Sequence, residues 1–301
     1  MPVVTGNFGA LLAPGLRSIW GDSYADFTEE YSKVFEIVNS VKNYEDDHSI
    51  SSLGLVPEKQ QGGSIKYDTM YDGRTKRYTP KTYGLGFTVS REMYEDLLYT
   101  NTIIKKIPAA LARSDKYTIE ILAANILNNA FSTVNLGADG KRLCATDHPL
   151  VGGGTLSNRA ATDADLDITS FENALISIQT DFVDDRNHKI RAVPKKLIIH
   201  PSEQFQAQMI LKSAQMPDTA NNNINPVYNY NIETVVMNWL TAPAAWFLQT
   251  DVADGLIFVW RRRPDFGQSD DFDSENAKFK TTFRCDMGWT DFRALWATPG
   301  A

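Results

Sequence analysis

Read for the spacing of apolar and polar positions, the chain divides into stretches of different period. From Gly62 the pattern has period two: Ile65, Tyr67, Thr69 and Tyr71 alternate with Lys66, Asp68 and Met70. Asp72-Gly73 then supplies a turn signal, and a return run over residues 74–89 ends with Tyr83, Leu85, Phe87 and Val89 on one face. The spacing predicts a long β-hairpin whose tip spans residues 72–81. Ser90 begins a helical pattern, with Glu92, Glu95 and Asp96 in its early turns, where the helix dipole favours acids. Apolar positions recur at Tyr94, Leu97, Leu98, Ile104, Ile107, Leu111, Leu122 and Ile126. They predict a helical spine of ~40 residues that Pro108 kinks or divides.

Shorter elements follow a glycine-rich stretch over residues 137–154. Thr169 and Glu172 read as a capping box for a helix with Phe171, Leu175, Ile178 and Phe182 on one side. A short buried strand at residues 197–200 leads into a helix carrying Phe205 and Met209, and residues 221–231 read as an exposed polar loop. The last third is mostly strands: residues 235–240, 245–249 and 256–260, then Phe279, Thr281, Phe283, Cys285 and Met287 alternating with polar neighbours. These elements make an α+β protein.

The first forty or so residues lack a single period. Glycine and proline break them up, while Phe8, Trp20, Phe27 and Phe35 supply large apolar groups with little room for a core of their own. Such an arm must lie on its own body or on a neighbour. The hairpin tip has a similar need. It carries Arg74, Lys76, Arg77 and Lys81 with almost no aliphatic residues, and a two-stranded ribbon is marginal alone in water.

Composition narrows the function classes. A net charge of −7 argues against a protein wrapped directly on nucleic acid. Cys144 and Cys285, far apart, are no disulfide framework and suit a reducing cytoplasm. No run approaches the ~20 apolar residues that cross a bilayer, so no membrane partner is expected. Cys144, Asp147 and His148 lack the second ligand pair of a structural zinc site. No nucleophile elbow or phosphate loop is present, so no cofactor, metal or catalytic residue is assigned. Arg261-Arg262-Arg263 could touch phosphate, but the acids close behind it (Asp270, Asp271, Asp273 and Glu275) favour ion pairs within or between subunits.

Several separated segments resemble the major head (capsid) protein family of Mu-like tailed bacteriophages. They are Val38-Asn39-Ser40 after the arm, Tyr83-Gly84-Leu85-Gly86-Phe87-Thr88-Val89-Ser90-Arg91-Glu92 with the acidic-aromatic residues 94–99, and Leu143 to Pro149 with its Thr-Asp-His-Pro segment. Ala245-Trp246-Phe247-Leu248 before Arg263-Pro264, and the finish Phe283-Arg284-Cys285-Asp286-Met287-Gly288-Trp289, complete them. The resemblance implies the tailed-phage capsid fold: an N-terminal arm (1–45), an extended hairpin loop (46–89), a peripheral domain with a spine helix (90–160), an axial domain (161–260) and returning C-terminal strands (261–301). It implies a non-enzymatic subunit forming hexamers and pentamers of an icosahedral head around double-stranded DNA, without sequence-specific binding. It also implies a separate scaffolding protein or an earlier cleavage, a portal and decoration proteins, assembly in the host cytoplasm, and maturation in which the spine straightens and the hairpin swings.

The residues expected to touch neighbouring copies are Trp20 of the arm, Tyr71, Asp72, Gly73, Arg74, Lys76 and Arg77 of the hairpin, and Arg261, Arg262 and Arg263. Three other readings stand beside this one. They are a nanocompartment (encapsulin-like) shell around a cargo enzyme, a metal- or thiol-dependent hydrolase using Cys144, Asp147 and His148, and a tail or baseplate protein, which the lack of a fibrous repeat disfavours.

Overall fold

The computed structural model describes residues 8–70, 72–92, 103–215, 223–271 and 276–301. Two four-stranded sheets and two long helices organise them. The first sheet holds β1 (Glu36–Asn39), β4 (Lys81–Val89), β10 (Leu256–Asp270) and β11 (Ala277–Trp289) in the order β1-β10-β11-β4. β10 and β11 form its antiparallel centre from Leu256 opposite Trp289 to Asp270 opposite Ala277. The register slips between Trp260 and Asp265, where Pro264 has no N–H for the ladder and a bulge absorbs the extra residues. Alternation in β11 is as the sequence predicts: Ala277, Phe279, Thr281, Phe283 and Cys285 are buried, while Lys278 and Lys280 face water.

The second sheet holds β7 (Pro194–Ile199), β8 (Glu233–Val236), β9 (Trp246–Thr250) and β12 (Leu295–Thr298) in the order β12-β9-β7-β8. β7 and β8 are parallel, which requires a crossover, and the helix Gln204–Lys212 lies in that connection. Its buried face is Ala207, Ile210 and Leu211, while Phe205 and Met209 are left exposed. Against the sheet lies the helix Ile168–Asp181, with Phe171 and Ile178 fully buried and Phe171 stacked 6.0 Å from Trp246. Its cap is Asp167 with Ser170, two residues before the Thr169–Glu172 pair expected from the sequence. The Asp167 carboxylate accepts from the Ser170 amide at 2.5 Å, and the Asp167 amide donates to Ser170 Oγ at 3.0 Å. Aspartate is a strong N-cap, and its side chain wins over that of Thr169. Two further two-stranded pieces complete the structure: β2 (Glu45–Ile50) pairs with β3 (Asp72–Tyr78), and β5 (His148–Pro149) with β6 (Thr155–Leu156).

The N-terminal stretch holds more structure than its sequence suggests. Residues Phe8–Ala25 form a single helix, α1, with Pro14 inside it. Leu16, Trp20 and Tyr24 recur every four residues and so share one face. That face meets Leu111 and Ala112 of the spine helix α2 (Ile103–Asn128) together with Phe266 and Phe279 of the first sheet. Pro108 lies inside α2 and does not divide it. Residues 93–102 of the expected spine lie outside the described residues.

Candidate assembly surfaces

The hairpin drawn from the sequence is corrected by the structure. β3 and β4 follow one another but do not pair: β3 joins β2, and β4 joins β11. Asp72 and Gly73 are therefore the start of a strand and not a tip. Gly73 is required by close approach, because a Cβ there would sit 2.1 Å from the Ser49 carbonyl oxygen. The ribbon is β2–β3, and its free end is the stretch 51–70. The period-two pattern at residues 62–70 pairs with nothing in the described chain.

Residues expected at the tip are engaged within their own subunit. Arg74 donates to the Pro149 carbonyl, and Lys76 donates to the Leu136 carbonyl at 2.7 Å. Arg77 grips Asp46 through two nitrogens at 2.6 and 2.7 Å and lies 4.1 Å over the Tyr44 ring. Asp72 is exposed, and Tyr71 lies outside the described residues. The exposed apolar residues lie instead along the loop 51–70, of which only residues 62–70 carry the period-two pattern. Leu53, Leu55, Val56, Ile65, Tyr67 and Met70 are all exposed, Val56 at 95% and Tyr67 at 91%. Exposed large apolar groups in such number are characteristic of interaction surfaces.

Trp20 packs against its own chain. It is 9% exposed, stacks 5.2 Å from Tyr24, and donates its indole N–H to Asp115 at 3.2 Å. Trp20→Phe is expected to keep the packing but strand the buried Asp115 carboxyl, costing about 1–2 kcal/mol. Urea unfolding of the unassembled subunit reads this directly, and an unchanged midpoint would return Trp20 to the list of contacts between copies.

The arginine triplet sits in the β10 bulge. Arg262 donates to Thr282 Oγ1 at 2.9 Å, and Arg263 lies 5.5 Å over the Trp260 ring. Arg262 and Arg263 are exposed and Arg261 half-buried. Among the described residues none of the three meets a carboxylate; Asp273 and Glu275, two of the expected partners, lie outside the described residues.

Of the residues of the hydrolase reading, Cys144 and His148 are buried and Asp147 is not. Cys144 is fully buried, and burial pushes its thiol far up. Asp147 is exposed and paired with Lys141. His148 is buried and stacked 3.7 Å from the Phe292 ring, with Nδ1 2.5 Å from Asp139 and Nε2 3.0 Å from Asn158 Oδ1. Asn158 Oδ1 also accepts from the Ala145 amide, so His148 Nε2 is the donor to it. Burial works against the Asp139 carboxylate, but the bonds from His148 and the Lys141 amide outweigh it and hold the carboxyl below its usual range. Asn158 passes unnoticed in the sequence. Its Nδ2 donates to the carbonyls of Leu143, Phe292 and Leu295 at 2.8, 3.0 and 3.0 Å, tying residues 143–148 to the entry of β12.

Among the described residues no group of three His, Cys, Asp or Glu side chains gathers in a way that could hold a metal ion, and no helix is long and apolar enough to cross a membrane. A cleft of about 570 Å³ beside the helix Ile168–Asp181 is lined by Asn173, Asp181, Trp246 and Trp296 among others. No histidine or cysteine lines it.

This arrangement of arm helix, ribbon with long loop, spine helix and two sheets recurs in solved phage capsid and encapsulin structures. It is similar to the capsid of cyanophage P-SCSP1u, with 9% identity, 91% of this chain and 88% of that one covered, and a TM-score of 0.60. It is similar to the procapsid of bacteriophage JBD30 at 15% identity, covering 98% of this chain and 76% of that one, with a TM-score of 0.52. The SrpI encapsulin of Synechococcus elongatus PCC 7942 shares the fold too, at 10% identity, with 91% and 88% covered and a TM-score of 0.53. No curated protein sequence matches the chain.

A family model described as phage capsid protein matches residues 73–298, and the chain belongs to that family. It is a major capsid protein, a structural subunit that assembles into the icosahedral shell of a phage head and resides in the virion.

Proposed function

We propose that this subunit forms hexamers and pentamers of a Mu-like tailed-phage head that closes around double-stranded DNA. The observation that carries the reading is the loop 51–70, whose six large apolar side chains lie outside every core of the subunit. Burying even two of them on a neighbouring copy is worth about 3–6 kcal/mol per contact. Repeated by symmetry, such contacts give a stable cage from individually weak and correctable steps.

The remaining partners follow from that reading: a scaffolding protein, a portal, decoration proteins, and DNA enclosed without sequence-specific contact. Assembly takes place in the host cytoplasm, and no catalytic step is assigned. The encapsulin likeness supports a second reading, a nanocompartment around a cargo protein, which the match to the phage capsid family disfavours.

Negative-stain microscopy of the expressed chain is expected to show rings, sheets or shells, and a monomer at every concentration would overturn the proposal. In the same assay a Leu55→Ser/Val56→Ser double variant is expected to lower particle yield at least about tenfold. The melting of its unassembled subunit should match the parent. DNA inside particles purified from infected cells separates the phage head from the nanocompartment.

A further inference from the structure

The two ends of the exposed loop are held by a turn far away in the sequence, residues 183–189. Asp68, near the end of the loop, accepts from Arg186 Nη1 at 2.6 Å and from the amides of Gly54 and Thr69 at 2.8 and 2.9 Å. Arg186 Nη2 also donates to the Thr69 carbonyl, and Ser52 Oγ donates to Asp184. Residues 52–54 and 68–69 are thus drawn together on residues 184–186. Among the described residues, the segment 55–67 between them makes only a turn of its own, from the Gly63 amide to the Gln60 carbonyl at 3.0 Å.

The turn that does the holding is rigid. Asp184 Oδ1 accepts from the Arg186 and His188 amides, both at 2.8 Å, and Val183 bridges to Lys189. Asn187 takes the left-handed conformation at φ 63°, a strained position for a residue other than glycine, and Asn tolerates it better than most. Between the two loop-facing residues, Asp185 points inward. Its carboxylate meets Arg293 at 2.8 Å, with both side chains buried, and its carbonyl accepts from the Gly152 amide at 2.7 Å. Gly152 is needed for that approach, since a Cβ there would lie 2.6 Å from the same carbonyl. The turn is bolted to the domain that carries β12, and the Arg186 side chain, only 12% exposed, projects from it as a fixed arm.

We infer that Arg186 and Asp184 are positioning residues for assembly: they clasp both ends of the loop and fix the direction in which its apolar face leaves the subunit. The inference rests on the shell reading above. A partly exposed ion pair with a handful of hydrogen bonds biases an equilibrium without locking it, so the clasp can open when the loop finds a neighbour or when the turn-bearing domain moves. One consequence is a mechanical link. Displacement of the second sheet with its turn redirects a loop rooted in the β2–β3 ribbon.

The test uses the full chain, whose own cysteines are both buried and leave room for selective surface labelling. Spin labels at Gln61→Cys on the loop and Gln179→Cys on the exposed end of the helix Ile168–Asp181 report the loop's direction as a distance distribution in the unassembled subunit. Arg186→Ala is expected to broaden that distribution at least about twofold, and Arg186→Asp with Asp68→Arg, which restores the pair in reverse, is expected to narrow it again. Particles from Arg186→Ala should be fewer and of mixed diameter, recovering in the reversed pair.

A distribution that stays narrow in a folded Arg186→Ala subunit overturns the clasp. A broadened loop that still builds shells of parental yield and diameter overturns its role in assembly. If the parent itself builds no particles, the shell reading fails on that result, while the distance measurement still decides the clasp. Should Arg186→Ala not fold, Asp68→Asn carries the same measurement from the loop side.

Discussion

Replacing Asn158 with leucine is expected to remove a large share of the subunit's stability. Its carboxamide makes five hydrogen bonds in a fully buried site: it accepts from Ala145 N and His148 Nε2 and donates to three carbonyls. Two N–H groups serve three acceptors there, so one is shared. Leucine fills the same space but strands an amide, an imidazole nitrogen and the carbonyls. Each buried polar group left without a partner costs about 1–3 kcal/mol, so a total of about 4 kcal/mol or more is expected. That is comparable with the whole stability of an ordinary domain, about 5–15 kcal/mol. Urea unfolding of the unassembled subunit gives the value, with Arg159→Ala as a control. Arg159 pairs with the partly exposed Asp163, and its loss should cost less than about 1 kcal/mol. If Asn158→Leu melts with the parent, the site is not the tie it resembles.

Asn158 also shows what a sequence conceals. Nothing about an asparagine between a serine and an arginine announces that its partners lie at residues 143, 145, 148, 292 and 295. Position in the fold assigns the role. The strands of the last third were legible because their side-chain period repeats over many residues, as in β11, and burial on one face enforces it. The arm helix was not legible, because three glycines and Pro14 lower its helical propensity; the packing of Leu16 and Trp20 on the spine overrides that.

The hairpin failed for a different reason. The alternation at residues 62–70 is present, but pairing is decided by tertiary partners, and β2, with its polar sequence Glu-Asp-Asp-His-Ser-Ile, took the place beside β3. Of the assembly residues named from the sequence, Arg74, Lys76 and Arg77 lie in β3 and bond within their own subunit. The apolar loop beyond them, on which the proposed contact between copies rests, was signalled by Leu53, Leu55 and Val56 beside Gly54 and Pro57. A surface loop rarely carries so many large apolar groups without a partner.

The arm and the spine are expected to hold together more tightly at pH 5 than at pH 8. Glu120, fully buried on α2, accepts from the amides of Glu30 and Tyr31 at 2.8 and 3.0 Å and so anchors the chain just after the arm helix. Around it stand Glu29, Glu30 and the buried Lys116, which Glu29 pairs with at 2.5 Å. Burial, with Glu30 and Glu29 adding to it, lifts the Glu120 carboxyl from its ordinary 4.5 to about 7 against the pull of the two amides. Burial also lifts Asp115, the partner of Trp20, from 3.8 to about 6. A raised carboxyl keeps its proton in the folded chain at pH values where the unfolded chain has lost it. Stability from these groups is therefore complete below about pH 4 and declines as pH rises through 6 and 7. For Glu120 alone the decline is up to about 3 kcal/mol. Asp46, Asp68, Asp139 and Asp184 are shifted the other way, and their contribution is lost only as pH falls below the ordinary 3.8, outside this window. The urea midpoint of the unassembled subunit should thus fall between pH 5 and pH 8. Glu120→Gln, neutral throughout and still able to accept one amide, should flatten that slope. A parent whose midpoint rises over the same range, or a Glu120→Gln variant with an unchanged slope, would show that the proton on Glu120 does not hold the arm to the spine.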